Sequence, residues 1–469
     1  MHVLALFFGD NIQSNGKPSF WFHLACRQMF VFIRGFFMFG AKITRAFVQQ
    51  EVLAGVTTFV TMAYISVVNP IVLGAAGVPF QQAFTATIIA TVAGTLLMAL
   101  YANYPIAIAP GMGLNAYFAY SVTRGHQGMD YRVAFSAVFL AAIIFVLLSL
   151  TPLRSRLIEA IPENLKHAIT AGIGLFIAFI GLRLTGIIQA DPTNLVALGD
   201  LHSGKVLLAL LGLVFTAILM FLNVPGAIFI GIVFITIVAL ITGQLAFHGA
   251  VALPSLPEGL LAYNPVNAVA DTIRYGLYGA IFSFVLVTIF DTTGTVLGVS
   301  RQAGLMEGNT LPRADRAFVS DSIATLIGSI FGTSPTSAYI ESAAGVAVGG
   351  RTGLTTLTVS ILFILTAFFS PLVSAISGVA AITGPALVIV GSLMVGQVQY
   401  IQWDKFEEAF PAFITILIMP LTSSIAVGIA LGFIFYPLPK LVSGRWREVH
   451  PLVYIFAVLF LIQFLLTPH

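Results

Sequence analysis

The sequence predicts an all-α polytopic membrane protein with 14 transmembrane spans arranged as a 7+7 inverted repeat. Three observations carry this expectation. The 469-residue chain is 58% hydrophobic and 8% charged, with a mean hydropathy of +1.00, whereas soluble proteins carry about 25% charged residues. Its apolar segments follow one another closely, many near the ~20 residues that a helix needs to cross a bilayer. Two of these segments are interrupted by proline and small residues at matching places in the two halves.

Composition also excludes several classes. One cysteine, Cys26, rules out an internal disulfide framework and a cysteine-rich metal site. The sequence contains no G-x-x-x-x-G-K-[ST] loop, no H-E-x-x-H and no G-x-S-x-G elbow in helical context. No cofactor or metal is therefore expected, and ATP-driven transport would need a separate subunit. The net charge of +3 is small and sits mainly in connecting loops, so no nucleic-acid partner is expected.

Residues 1–44 form an N-terminal extension. Phe20–Phe39 is rich in phenylalanine but carries His23, Arg27 and Arg34, and it lacks a small-residue cleavage site. It reads as an interfacial segment or as a non-native extension. From Val52 the spans fall near 52–75, 81–101, 103–123 (interrupted), 133–151, 164–188, 205–222 and 225–243. The second set falls near 276–299, 317–331, 333–350 (interrupted), 353–374, 378–399, 408–421 and 424–440. The stretch 244–270, with Pro254, Pro257 and Pro265, joins the halves, and Leu452–Leu466 is either an extra span or an interfacial helix.

Lysine and arginine orient this layout. With the N-terminus in the cytoplasm, fifteen basic residues fall in inner loops and ends, among them Arg154, Arg156, Arg301, Arg351 and Lys440. Five fall outside (Arg124, Arg132, Arg183, Lys205, Arg274), with Lys17 set aside as part of the extension. The repeat shows faintly: Thr95-Leu96 and Thr325-Leu326 lie 230 residues apart, as do Pro105 and Pro335. Each proline stands in a short extended piece before a small-residue half-helix. Paired interrupted spans of this kind point to a transporter's binding site, since irregular backbone at membrane depth survives only where protein buries it or a cavity solvates it.

The candidate residues cluster there. Glu341, within 333–350, has serine and threonine neighbours and no Lys or Arg close in sequence. An intramembrane carboxylate is a functional-site hypothesis by default; the structural alternative is a cap on the half-helix N-terminus. Asp291 lies mid-span in IFDTTGT and reads as a substrate or proton site, or as a carboxyl bonded to Thr295. Asp321, near the start of a span, reads as an N-cap or interhelical contact, and Asp404, Glu407 and Glu408 as a solvated inner edge. Asn115 follows Pro110-Gly111-Met112-Gly113 and offers a donor and an acceptor to a planar heterocycle, or to a neighbouring helix. Gly111 and Gly113 let backbone approach closely, for a ligand or for helix packing. Tyr339 and Phe290 are placed to stack on a ring or to pack. The run 349–353 (GGRTG) resembles a phosphate loop only superficially and reads as a helix end followed by a cytoplasmic charge.

Four stretches carry a resemblance to a known family: GVTTFVTMAYISVVNP (55–70), APGMGLNAYFAY (109–120), FDTTGTVLGV (290–299) and TSAYIESAAGVAVGGRTGLT (336–355). They resemble the AzgA-like purine permeases of nucleobase–cation symporter family 2, over about Arg45 to Arg447. The resemblance implies a uracil-permease-like fold in which a core domain (45–151, spans 1–4; 271–377, spans 8–11) moves against a gate domain (152–270, spans 5–7 and loop; 378–443, spans 12–14), followed by a C-terminal apolar segment (444–469). It implies proton-coupled uptake of hypoxanthine, guanine or adenine across the cytoplasmic (inner) membrane, with Na⁺ coupling left open, and a possible homodimer. It places the eighth-span acid on Asp291, the tenth-span acid on Glu341, the tyrosine before it on Tyr339 and the third-span asparagine on Asn115.

On this reading Glu341 accepts ring N–H groups of the purine, backbone N–H groups near Gly111 and Tyr339 reach its carbonyl or ring nitrogen, and Asp291 or a neighbouring acid binds the coupled proton. The alternatives are an anion transporter of the same architecture, against which two acids and no evident cation speak, and an intramembrane aspartyl enzyme, which leaves the matched broken helices unexplained.

Overall fold

The computed structural model describes residues 44–123, 129–151, 160–245, 249, 251–254, 267–307 and 310–466. The expected N-terminal extension lies outside the described residues except for its last position, and so does most of the 244–270 joint. Among the described residues, nine helical stretches are long and apolar enough to cross a membrane, and Ala227–Ile241 and Pro451–Ile462 are shorter apolar helices. The chain is a helical membrane protein.

In the first half the described helices are α1 (Arg45–Met62), α2 (Ile65–Gly74), α3 (Phe80–Leu97), α4 (Met112–Ala116), α5 (Tyr131–Ser149), α6 (Glu163–Thr185), α7 (Gly204–Phe221) and α8 (Ala227–Ile241). The second half holds α9 (Ala268–Tyr275), α10 (Tyr278–Gln302), α11 (Ala314–Phe331), α12 (Ser342–Val348), α13 (Gly353–Thr366), α14 (Ser370–Ser377), α15 (Ala380–Val395), α16 (Phe406–Thr422), α17 (Ile425–Phe435), α18 (Pro437–Val442) and α19 (Pro451–Leu466). Four short strands interleave them: β1 (Ile108–Pro110), β2 (Ile188–Asp191), β3 (Leu195–Leu198) and β4 (Thr336–Ala338).

The two interrupted segments are built alike. The helical stretch ending at Ala102 stops on Asn103 and α11 stops on Gly332, both in left-handed backbone, which turns the chain back into the bundle. Each chain then runs extended. β1 and β4 pair antiparallel with Ile108 opposite Ala338 and Pro110 opposite Thr336. Pairing satisfies backbone groups that apolar surroundings could not. Past the strands the chain becomes helical again as α4, continued by a wider turn over Tyr117–Thr123, and as α12.

The same side-chain device fixes both strands to the preceding helix. The Thr95 hydroxyl donates to the Ile108 carbonyl (3.0 Å) and accepts from the Ile108 N–H (3.2 Å). The Thr325 hydroxyl accepts from the Thr336 N–H (3.2 Å) and lies 2.9 Å from the Thr336 hydroxyl. These are the two threonines that stand 230 residues apart in the sequence.

The helices sort into two packed groups. α3, α5, α10, α11 and α13 surround the strand crossing, with α3 against α11 and α13, and α5 against α10 and α11. α6 packs along α15 and α16, and α7 packs along α8 and α15. α19 lies on α17, and its Phe456 and Phe460 rings meet both Phe433 of α17 and Phe282 of α10, with centroids 4.7–5.9 Å apart.

One sequence expectation needs correction. Asp404 is exposed, but Glu408 is buried rather than solvated: Asn164 and Tyr436 donate to it (2.8 and 3.2 Å), and the Lys440 ammonium lies 3.4 Å away while pairing with Glu407 at 2.6 Å. Buried charges survive in such company. The segment between α6 and α7 folds as the β2–β3 hairpin, whose Asp191 carboxylate accepts from the Thr193 and Asn194 N–H groups. The expected helix end near Gly349 is present, with the Arg351 guanidinium folded back to donate to the Val346 and Gly350 carbonyls.

Candidate functional site

The strand crossing positions most of the candidate residues, and Phe290 and Asp291 stand on α10 beside it. Gly111 N–H donates to the Pro335 carbonyl (3.0 Å) and Tyr339 N–H to the Ala107 carbonyl (2.9 Å). These two groups are spent on the crossing itself. The Tyr339 hydroxyl donates to the Pro110 carbonyl (2.6 Å), which ties the far end of β4 to β1.

Asp291 lies in the uninterrupted α10. Its neighbour Thr292 donates to the Asp321 carboxylate (2.5 Å) and accepts from the Ala338 N–H (3.4 Å), which fastens α10 to β4. Ser337 of β4 lies beside Asp291. Asp321, fully buried, also accepts from the Thr336 hydroxyl (2.9 Å). It sits well inside α11 rather than at its cap, so of its two expected roles it takes the interhelical one.

Glu341 occupies the position before α12, yet its side chain makes no capping bond. It accepts instead from the Tyr64 hydroxyl at 2.6 Å, and the Thr61 hydroxyl donates to its carbonyl (3.3 Å). Asp291 and Glu341 lie within electrostatic range of each other and of Tyr64 and Tyr339. Asn115 is fully buried; its side-chain carbonyl accepts from Ser334, and its amide N–H₂ faces the Met112 sulfur at 4.0 Å.

A small cavity, with room for about one water, opens beside Asp291. One wall is Val287, Phe290 and Asp291 of α10 with Gly113 and Leu114 of α4. The other is Ile169, Thr170 and Ile173 of α6 with Met394 of α15. The cavity therefore lies between the two helix groups. Of the expected residues, Asp291, Phe290 and Gly113 stand on its wall. Glu341, Tyr339, Asn115 and Gly111 do not; they build the crossing beside it.

Sequence reasoning missed Tyr64, Thr292 as the residue joining α10 to β4, and the α6 wall. Thr57, Thr61 and Tyr64 recur at helical spacing within an apolar span, and that polar stripe was the available signal. Nothing comparable marks Ile169 or Ile173.

The chain is similar in sequence to known permeases and in fold to solved membrane proteins. A family model described as a permease family matches residues 49–431. The guanine/hypoxanthine permease PbuO of Bacillus subtilis (strain 168) is 62% identical over 428 residues, covering 91% of this chain and 99% of that one. The adenine permease AdeP of Escherichia coli (strain K12) is 43% identical over 416 residues, covering 88% and 92%. Among solved structures, the transmembrane domain of a cyanobacterial bicarbonate transporter, BicA, aligns with a TM-score of 0.58 at 16% identity over 83% of this chain and 98% of that one. SLC26A9 aligns with a TM-score of 0.61 at 13% identity over 90% and 71%. These two likenesses concern the fold alone.

Apolar helices broken at a buried strand crossing, with acids beside a cavity, define a membrane transporter rather than an enzyme, and the relatives are permeases. The chain belongs to the permease family, among the AzgA-like purine permeases.

Proposed function

We propose that this protein takes up purine nucleobases across the cytoplasmic membrane, coupled to protons, by alternating access. The observation that carries the reading is two acids, Asp291 and Glu341, within reach of each other's charge beside the strand crossing, with the cavity opening from Asp291 toward α6. Relatives named as guanine/hypoxanthine and adenine permeases support the substrate class. A purine base is flat, nearly neutral and ringed by donors and acceptors. Carboxylates accept its N–H groups through charge-assisted hydrogen bonds, Phe290 supplies a ring face, and the first turn of α4 supplies N–H donors.

A charge in low dielectric is costly, so a proton arriving with the base neutralises one acid before the site changes sides. Asp291, on the cavity wall, is the proton site in this reading, and Glu341 holds the base. The fourteen spans divide as two inverted sets of seven, and the group around the crossing slides against the group of α6, α15 and α16. The N-terminus lies in the cytoplasm.

The second reading is anion transport by the same architecture. An anion needs compensating positive charge, and among the described residues the cavity wall carries Asp291 and no Lys or Arg. The test is uptake of labelled hypoxanthine, guanine and adenine by cells lacking their own purine permeases, with and without a protonophore and in Na⁺-free medium. Uptake that the protonophore collapses and that survives without Na⁺ supports the proposal. Absence of purine uptake by protein present in the membrane overturns it.

A further inference from the structure

The first span is not a bystander to the crossing. α1 ends at Met62 and α2 begins at Ile65, so Tyr64 stands where the helix is interrupted. The side chain is 1% exposed. Its phenol reaches across to α12 and donates to Glu341 Oε1 at 2.6 Å, between residues 277 apart in sequence. One turn earlier, Thr61 donates to the Glu341 main-chain carbonyl (3.3 Å), and farther down Gln50 donates to the Val348 carbonyl (3.4 Å). α12 thus rests along α1, with contacts at its start and near its end.

A glutamate beginning a half-helix has three rotatable side-chain bonds and no capping bond to restrain them. Left alone, it would sample several rotamers, and a ligand would have to order it on binding. A buried phenol held by the protein removes that freedom. It also occupies one carboxylate oxygen, which leaves Oε2 as the acceptor for an incoming N–H.

We propose that Tyr64 is a positioning residue of the substrate site: by holding Oε1 it presents Oε2 of Glu341 to a ring N–H of the purine. The proposal rests on the reading that Glu341 binds the base. It assigns a role in substrate affinity to the first span, which contributes no side chain to the cavity wall.

The experiment compares wild type, Tyr64→Phe and Glu341→Gln for labelled hypoxanthine uptake in cells, and for hypoxanthine affinity and melting temperature of the purified proteins. Phenylalanine keeps the ring and removes only the hydroxyl. The expected result for Tyr64→Phe is a KM and Kd raised about tenfold, the effect of losing one charge-assisted hydrogen bond, with maximal rate and melting temperature close to wild type. Unchanged KM and Kd in Tyr64→Phe, with binding abolished in Glu341→Gln, overturns the role of Tyr64 and leaves the substrate site standing. A lower maximal rate or lower melting temperature at unchanged KM identifies Tyr64 as a packing residue and overturns the proposal. Wild-type affinity in Glu341→Gln removes the substrate reading and the proposal together.

Discussion

Gly113 stands so close to Ile173 that a methyl group on its α-carbon would lie 2.4 Å from Ile173 Cγ2. This contact joins α4, beside the strand crossing, to α6 on the opposite cavity wall. Carbon atoms settle at about 3.5–4 Å, so the two walls meet here only because residue 113 has no side chain. Gly113→Ala is expected to insert and fold but to lower transport about tenfold or more, since small displacements of a binding wall carry such costs. Adding Ile173→Ala makes room for the new methyl and is expected to restore most of the loss. Uptake assays on the single and double variants check this, and a double variant no better than the single would refute the contact as the cause.

The paired threonines predict a symmetric loss of stability. Thr95→Val and Thr325→Val each keep the side-chain shape but remove a hydroxyl that serves strand backbone groups. A buried N–H left without a partner costs about 1–3 kcal/mol. Both variants are expected to melt below wild type by similar amounts in detergent, and a melting temperature unchanged in either one contradicts the role assigned to these hydroxyls.

Asp321 predicts an order rather than a single value. Its carboxylate accepts from Thr292 and Thr336 and so couples α10, the helix of Asp291, to β4. Asp321→Asn keeps one acceptor oxygen, whereas Asp321→Ala keeps none and leaves space behind. Stability and uptake are expected to fall in the order Asp, Asn, Ala, with about 2–3 kcal/mol lost in the alanine variant. Melting curves measure the stability term. Wild-type melting in Asp321→Ala would remove the structural role.

Much of this arrangement could be read from the chain, for physical reasons visible at particular residues. The helical segments were legible because apolar length alone marks them, and the two extended pieces because Pro105 and Pro335 each precede a run of small residues. Asp291 and Glu341 stood out because an acid in such surroundings needs a reason. What stayed hidden depends on long-range pairing. The bond from Tyr64 to Glu341, the fastening of Thr292 to Asp321 and Ala338, and the use of the Gly111 and Tyr339 N–H groups across the strands all join segments remote in sequence. Glu408 was misread for the same reason, since Asn164, Tyr436 and Lys440 approach it from other segments. The β2–β3 hairpin was missed because its strands, Ile188–Asp191 and Leu195–Leu198, are too short for alternation to show.

The central claim is that the Glu341 carboxylate receives the purine beside Asp291. Equilibrium binding of labelled hypoxanthine to purified wild type and Glu341→Gln, both confirmed as folded by their melting curves, tests it without the complications of transport. Loss of an ionised acceptor is expected to weaken binding about 100-fold. Equal affinity in the two proteins would contradict the account.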